Sequence, residues 1–117
     1  MNKPTEQKTL SALGLCAKAR KLIGGSAMIC ESLRGAKKPF LVLCAADNSE
    51  NTAKKLKDKC SFYGVPTVTL RATGTALADA VGKRGGHLSA VAVTDENLCR
   101  LIRSSLEQDR SEATDTQ

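Results

Sequence analysis

The sequence predicts an α/β protein, a three-layer α/β/α sandwich. Three observations carry this. Short apolar runs alternate with helix-patterned segments; glycine or proline marks most of the junctions; and two runs, residues 40–45 and 88–93, are almost solidly apolar, as strands buried on both faces are. No internal repeat or linker interrupts the 117 residues, which predicts one domain.

Residues 6–17 read as the first helix, with Leu10, Leu13 and Ala17 spaced by three and four. Lys21, Leu22 and Ile23 make a candidate short strand. A double glycine, Gly24-Gly25, follows, and Ser26 is placed to cap the next helix. That helix carries Ile29 and Leu33 on one face and stops near Gly35. Residues 40–45 form a strand between Pro39 and Asp47. Asp47-Asn48-Ser49-Glu50 then has the Asp-x-x-Glu spacing of a capping box. The helix it opens puts Ala53, Leu56, Cys60 and Tyr63 on one stripe, with Lys54, Lys55, Lys57 and Lys59 around the remainder. Gly64 ends it and Pro66 blocks its continuation. Residues 67–70 are β-rich, and 75–81 read as a short helix. Gly82-Lys83-Arg84-Gly85-Gly86 is a loop. Residues 88–93 give the last strand, and Thr94 or Asp95 caps a final helix with Leu98, Ile102 and Leu106 at spacings of four. The ordered domain is expected over 1–108, and 109–117 is expected to be a polar, disordered tail.

The net charge of +6 is unevenly placed. Residues 1–45 hold eight Lys or Arg and two acids, whereas 46–117 hold ten of each. A one-sided basic field favours polyanions such as nucleic acid. One Tyr, two Phe and no Trp argue against the stacking platforms of OB-folds and RNP-type sheets. No apolar run approaches a membrane span, and the N-terminal MNKPTEQKT lacks a signal-peptide core, so no membrane role and a cytoplasmic location are expected.

Catalytic and metal chemistry find little support. Cys16, Cys30, Cys44, Cys60 and Cys99 are well separated and lie within apolar patterns. That is neither a zinc spacing nor a disulfide framework, and it suits packing. His87 is the only histidine, it sits in a glycine loop, and the local sequence places no acid beside it. No Gly-x-x-x-x-Gly-Lys-Ser/Thr is present, and the loop at 82–86 lacks the strand-before, helix-after setting of a phosphate loop. No cofactor, no metal and no enzyme activity are expected.

Several ordered blocks carry a family resemblance: GLCAKARKLIGG, then KKPFLVLCAADNSENT, then DKCSFYGVPTV, then AVAVTDENL. Over residues 8–106 the chain resembles the bacterial branch of the L-seven-Ae / L-thirty-e ribosomal protein family, whose better-known members bind kink-turn RNA. The resemblance implies a four-stranded mixed sheet and a helix start that points into RNA after the first strand. It implies RNA contacts at Gly24, Gly25 and Ser26, with Lys18, Arg20 and Lys21 flanking the same site to hold phosphates. Asp47, after the second strand, and Arg71, after the third, would also reach the RNA. Kink-turn binders usually carry a Gly-x-Asn-Glu-x-x-Lys-like stretch here. With Gly25 as the matching glycine this chain has Ala27, Met28 and Glu31 at the three reading positions; with Gly24 it has Ser26, Ala27 and Cys30.

The expected function is therefore non-catalytic binding of structured RNA, kink-turn-like or ribosomal, by a ribosome-associated monomer with ribosomal or ribosome-assembly proteins as possible neighbours. Physical reasoning supports the helix start, because glycine lets a phosphate approach the backbone and a helix N-terminus offers free N–H groups. Two other functions fit parts of the sequence. One is a protein-interaction module of the same fold without specific RNA recognition; the other is a thiol enzyme using Cys44 or Cys30, for which apolar settings are unfavourable.

Overall fold

A computed structural model describes residues 6–115 of the chain. The elements are α1 (Gln7–Lys18), β1 (Leu22–Gly24), α2 (Ser26–Leu33), β2 (Leu41–Cys44), α3 (Glu50–Tyr63), β3 (Thr67–Thr69), α4 (Gly74–Ala80), β4 (Ala90–Val93) and α5 (Glu96–Asp115). The strands form one mixed sheet in the order β1-β4-β2-β3. β4 pairs antiparallel with both β1 and β2, and β2 runs parallel to β3. The α/β/α sandwich around four mixed strands is thus the architecture present.

The two apolar runs explain the layering. β2 and β4 are buried along their whole lengths, and alternate side chains point to opposite faces. Leu41, Leu43, Val91 and Val93 join Leu13, Leu77 and Ile102 under α1, α4 and α5. Val42, Cys44, Ala90 and Ala92 join Ile29, Leu33, Leu56 and Cys60 under α2 and α3. Leu13, Leu43 and Ile102 are fully buried, and each such side chain contributes about 1.5–3 kcal/mol by leaving water. All five cysteines are free and buried, packed in these two cores. The aliphatic stripe of α3 and its left-handed cap at Gly64, φ 74°, follow the sequence pattern closely.

Three local expectations are corrected. Ser26 does not cap α2: the N-cap is Gly25, at φ 93°, and no side chain caps the helix. Asp47 does not cap α3: that role falls to Ser49, whose hydroxyl oxygen accepts from the Thr52 N–H, because Asp47 is drawn to a distant donor described below. The ordered chain does not stop at residue 108, since α5 continues to Asp115. Asp109 is only 5% exposed; it accepts the Thr9 N–H at 2.9 Å, the Thr9 hydroxyl at 2.7 Å and the Lys8 N–H at 3.3 Å. These are first-turn donors of α1, left over by helix geometry and unserved by the α1 N-cap residue, Glu6. Residues 116–117 of the expected tail, like residues 1–5, lie outside the described residues. Asp95 caps α5 as expected, accepting the Leu98 N–H at 2.9 Å.

Candidate functional site

Antiparallel pairing puts the ends of β1, β2 and β3 beside the start of β4. Four loops meet there. Gly25 donates its N–H to the Ala90 carbonyl at 2.9 Å, which fixes the end of β1 and the start of α2. The first bond of α2 runs from the Ile29 N–H to the Gly25 carbonyl, so the N–H groups of Ser26, Ala27 and Met28 precede the ladder and open outward. A Cβ on Gly25 would meet nothing within 4 Å, whereas one on Gly24 would press on the Leu88 side chain at 3.3 Å. Gly25 is therefore glycine for its backbone conformation and leaves an open approach to the helix start. Gly24 is held at a tight contact.

The β2–α3 loop is pinned over the same end. The Asn48 amide donates to the Ser89 carbonyl at 2.9 Å. Asp47 accepts the Gly74 N–H at 2.9 Å through Oδ1, and its Oδ2 lies 3.6 Å from His87 Nε2. The Gly74 N–H bond, with His87 adding a smaller attraction, holds the Asp47 carboxyl below its usual value. Leu88 returns its N–H to the Gly74 carbonyl at 3.0 Å, and a Cβ on Gly74 would collide with the His87 imidazole. The acid that the local sequence did not supply to His87 is thus Asp47. The pair, with the Gly74 N–H, ties the β2–α3 loop to the α4–β4 loop as a clasp.

The β3–α4 loop is held from below. The buried Glu6 carboxylate accepts the Arg71 N–H at 2.8 and 2.9 Å and the Ala72 N–H at 3.0 Å. Arg71 is left exposed at this end. Lys83 and Arg84 are exposed on the α4–β4 loop, where the Lys83 N–H bonds back to the Ala78 carbonyl near the C-terminal end of α4, away from Gly74. Gly24, Gly25, Ser26, Asp47 and Arg71 are thus brought together. Glu6, Asn48, Gly74 and His87 are the supporting residues that the sequence reading missed. No local pattern signals Glu6 or Gly74, because their partners are 65 and 27 residues away.

Lys18, Arg20 and Lys21 do not flank this site. α1 follows its N-cap Glu6, under the Arg71 loop, and runs its twelve residues to Lys18, about 18 Å away at 1.5 Å per residue. Lys21 accepts the Thr94 N–H on its carbonyl, at the finish of β4 and the opposite end of the sheet.

No protein-family profile matches the chain. It is 37% identical over 95 residues to the RNA-binding protein YlxQ of Bacillus subtilis, covering 81% of this chain and 91% of that protein. The chain belongs to the YlxQ family. A second YlxQ, described as an RNA-binding protein of Enterococcus faecium, is 43% identical over 70 residues, covering 60% of this chain and 67% of the relative. A solved structure of a Bacillus halodurans protein of unknown function superimposes with a TM-score of 0.76 at 30% identity, over 86% of this YlxQ-family chain and 97% of the other. A 15.5 kD RNA-binding protein of Giardia lamblia shares the fold, with a TM-score of 0.70 at 18% identity over 95% and 92% of the two chains.

Among the described residues no helix is long and apolar enough to cross a membrane, and no cluster of His, Cys, Asp and Glu could hold a metal ion.

Proposed function

We propose that this chain binds structured RNA without catalysis, as a member of the L-seven-Ae / L-thirty-e type, with a kink-turn-like or ribosomal RNA as its target. The observation that carries the proposal is the Gly25 helix start. Its positive φ, the empty space in front of its Cα and three outward N–H groups make a place where a phosphate can reach the backbone. Arg71 is an exposed cation at the same end of the sheet. The relatives named as RNA-binding proteins support the same reading.

With Gly25 as the matching glycine, Ala27, Met28 and Glu31 stand where kink-turn readers have Asn, Glu and Lys; with Gly24, Ser26, Ala27 and Cys30 do. Docking would then rest on backbone and phosphate contacts, which position a complex without reading bases. Asp47, a carboxylate beside an anion site, serves the RNA by holding the Gly74 and His87 loops.

The test is binding to a kink-turn RNA and to a straight duplex of equal length at two salt concentrations. Preference for the kink-turn, steeper at low salt and lost in Gly25→Val, is the expected result. Kink-turn affinity that survives Gly25→Val would defeat the docking model.

A protein-docking module is the second reading, and one observation favours it. Leu15 and Leu101, 54% and 41% exposed, line a groove of about 470 Å³ between α1 and α5. Absence of binding to either RNA would give that reading precedence.

A further inference from the structure

The cations displaced from the glycine end are not scattered. Where β1 and β2 begin and β4 finishes, the structure gathers Lys18, Arg20 and Lys21 from the α1–β1 connection and Arg34, Lys37 and Lys38 from the α2–β2 connection. The Thr94 N–H bond to Lys21 and the Phe40 N–H bond to the Val93 carbonyl, 2.9 Å, tie both connections to one sheet end. All six cations are exposed, and none forms an ion pair among the described residues. The acids nearby are otherwise engaged or unpaired with them: Asp95 caps α5, Glu96 pairs with Arg100, and Glu31 stands one turn before Arg34 without bonding to its side chain.

Every aromatic residue of the chain is at the same end. Lys38 Nζ sits 5.3 Å over the Tyr63 ring, and Phe62 packs edge-on against Tyr63 with centroids 4.9 Å apart. Phe62 is nonetheless 81% exposed and Phe40 42%. Lys38 Nζ also donates to the Gly35 carbonyl at 3.1 Å, but scarce aromatics, concentrated among cations without ion pairs and left open to solvent, are the arrangement that takes an unpaired nucleic-acid strand: phosphates on the lysines, bases on the rings.

Helix ends account for part of the charge. α1 and α2 finish here, and cations favour helix C-termini, which suits Lys18 and Arg34. Arg20, Lys21, Lys37 and Lys38 lie beyond that effect. Arg20 is also the only non-glycine residue with positive φ among the described residues, at 62°. It occupies the left-handed position after α1, where the Arg20 and Lys21 N–H groups bond back to Ala17 and Cys16. Glycine is the residue that position prefers. An arginine kept there at a conformational cost points to use of its side chain.

We propose that this end is a second RNA surface, which takes a single-stranded segment independently of the glycine end. Seven residue steps from Lys38 to Ala45, at ~3.3 Å each, separate the two ends by roughly 20 Å. That exceeds the Debye length of about 8 Å at physiological salt, so charge changes at one end leave the other nearly untouched.

The experiment measures fluorescence anisotropy of an oligouridylate of about twelve nucleotides, beside a kink-turn RNA, at low and physiological salt. Phe62→Ala is expected to weaken oligouridylate binding about tenfold. The pair Lys21→Glu and Lys38→Glu should flatten its salt dependence by one to two in log-log slope, roughly. Arg20→Gly should hold or raise the thermal midpoint while weakening binding. All these positions are exposed, so the variants fold. Gly25→Val is expected to bind the oligouridylate as the parent does. The proposal is overturned if the parent shows no salt-sensitive oligouridylate binding, if Phe62→Ala and the charge reversals bind like the parent, or if Gly25→Val loses both RNAs together. Failure of the glycine-end reading shows separately, as kink-turn binding that Gly25→Val does not alter.

Discussion

His87 and Asp47 face each other with Nε2 3.6 Å from Oδ2, while the other Asp47 oxygen holds the Gly74 N–H. One carboxylate thereby joins the loops before α3, before α4 and before β4. Its pKa lies below the usual carboxylate value chiefly because of that N–H bond. A depressed carboxylate contributes to the folded state above its unfolded-state pKa, and the contribution is lost as the pH falls through the folded-state pKa. The clasp is therefore expected to hold at neutral pH and to release only in acid, below the ordinary carboxylate range. NMR checks this: Gly74 amide protection should fall as Asp47 titrates, and Asp47→Asn should remove the dependence. Protection that is level across the acid range contradicts it.

Glu6 holds Arg71 and Ala72 by their backbone N–H groups from a buried position, 7% exposed. Glu6→Ala leaves two donors without their acceptor and is expected to cost about 1–3 kcal/mol. Denaturant unfolding measures the loss. RNA affinity should fall as well, since the Arg71 loop loses its anchor, whereas Arg71→Ala should weaken binding with little change in stability.

The two neighbouring glycines are expected to respond differently. Gly25 has a positive φ and open space, so Gly25→Ala carries a backbone penalty of about 1–3 kcal/mol without a clash. Gly24→Ala meets only the flexible tip of Leu88 and should stay within about 1 kcal/mol. Thermal melts of the two variants separate these outcomes, and equal losses would show that the strain at Gly25 is misjudged.

Thiol chemistry is disfavoured by burial. The Cys60 thiol is pushed up to about 11, mainly by burial with Cys44 and Cys30 adding to it. Cys16 and Cys44 are raised for the same leading reason. A thiol reagent at mildly alkaline pH should label none of the five in the folded protein and all of them after unfolding. Rapid native labelling of Cys44 or Cys30 would restore the thiol-enzyme reading.

Much of the fold was legible because its signals are local. The solid runs at 40–45 and 88–93 marked the two central strands, and Gly64 with Pro66 marked the end of α3. The turn into α2 at Gly24 and Gly25 was legible too, because backbone conformation decides it. Local placement was misread wherever a distant partner decides. The Asp47-x-x-Glu50 spacing imitates a capping box, yet the Gly74 N–H takes Asp47, and Ser49 caps α3 instead. Lys18, Arg20 and Lys21 adjoin the glycines in sequence, but a strand between them carries the two groups to opposite ends of the sheet.

Asp109 has a consequence in time. Its bonds to Thr9 span 100 residues of chain, so during synthesis the first helix is made long before the carboxylate that completes its first turn. Until that residue arrives, the Thr9 N–H and hydroxyl have only water to bond. Closure of the first helix against the last is thus a contact of high sequence separation, of the kind that forms slowly. A nascent chain stalled before residue 109 carries an α1 that lacks this cap, however well its sheet has already formed.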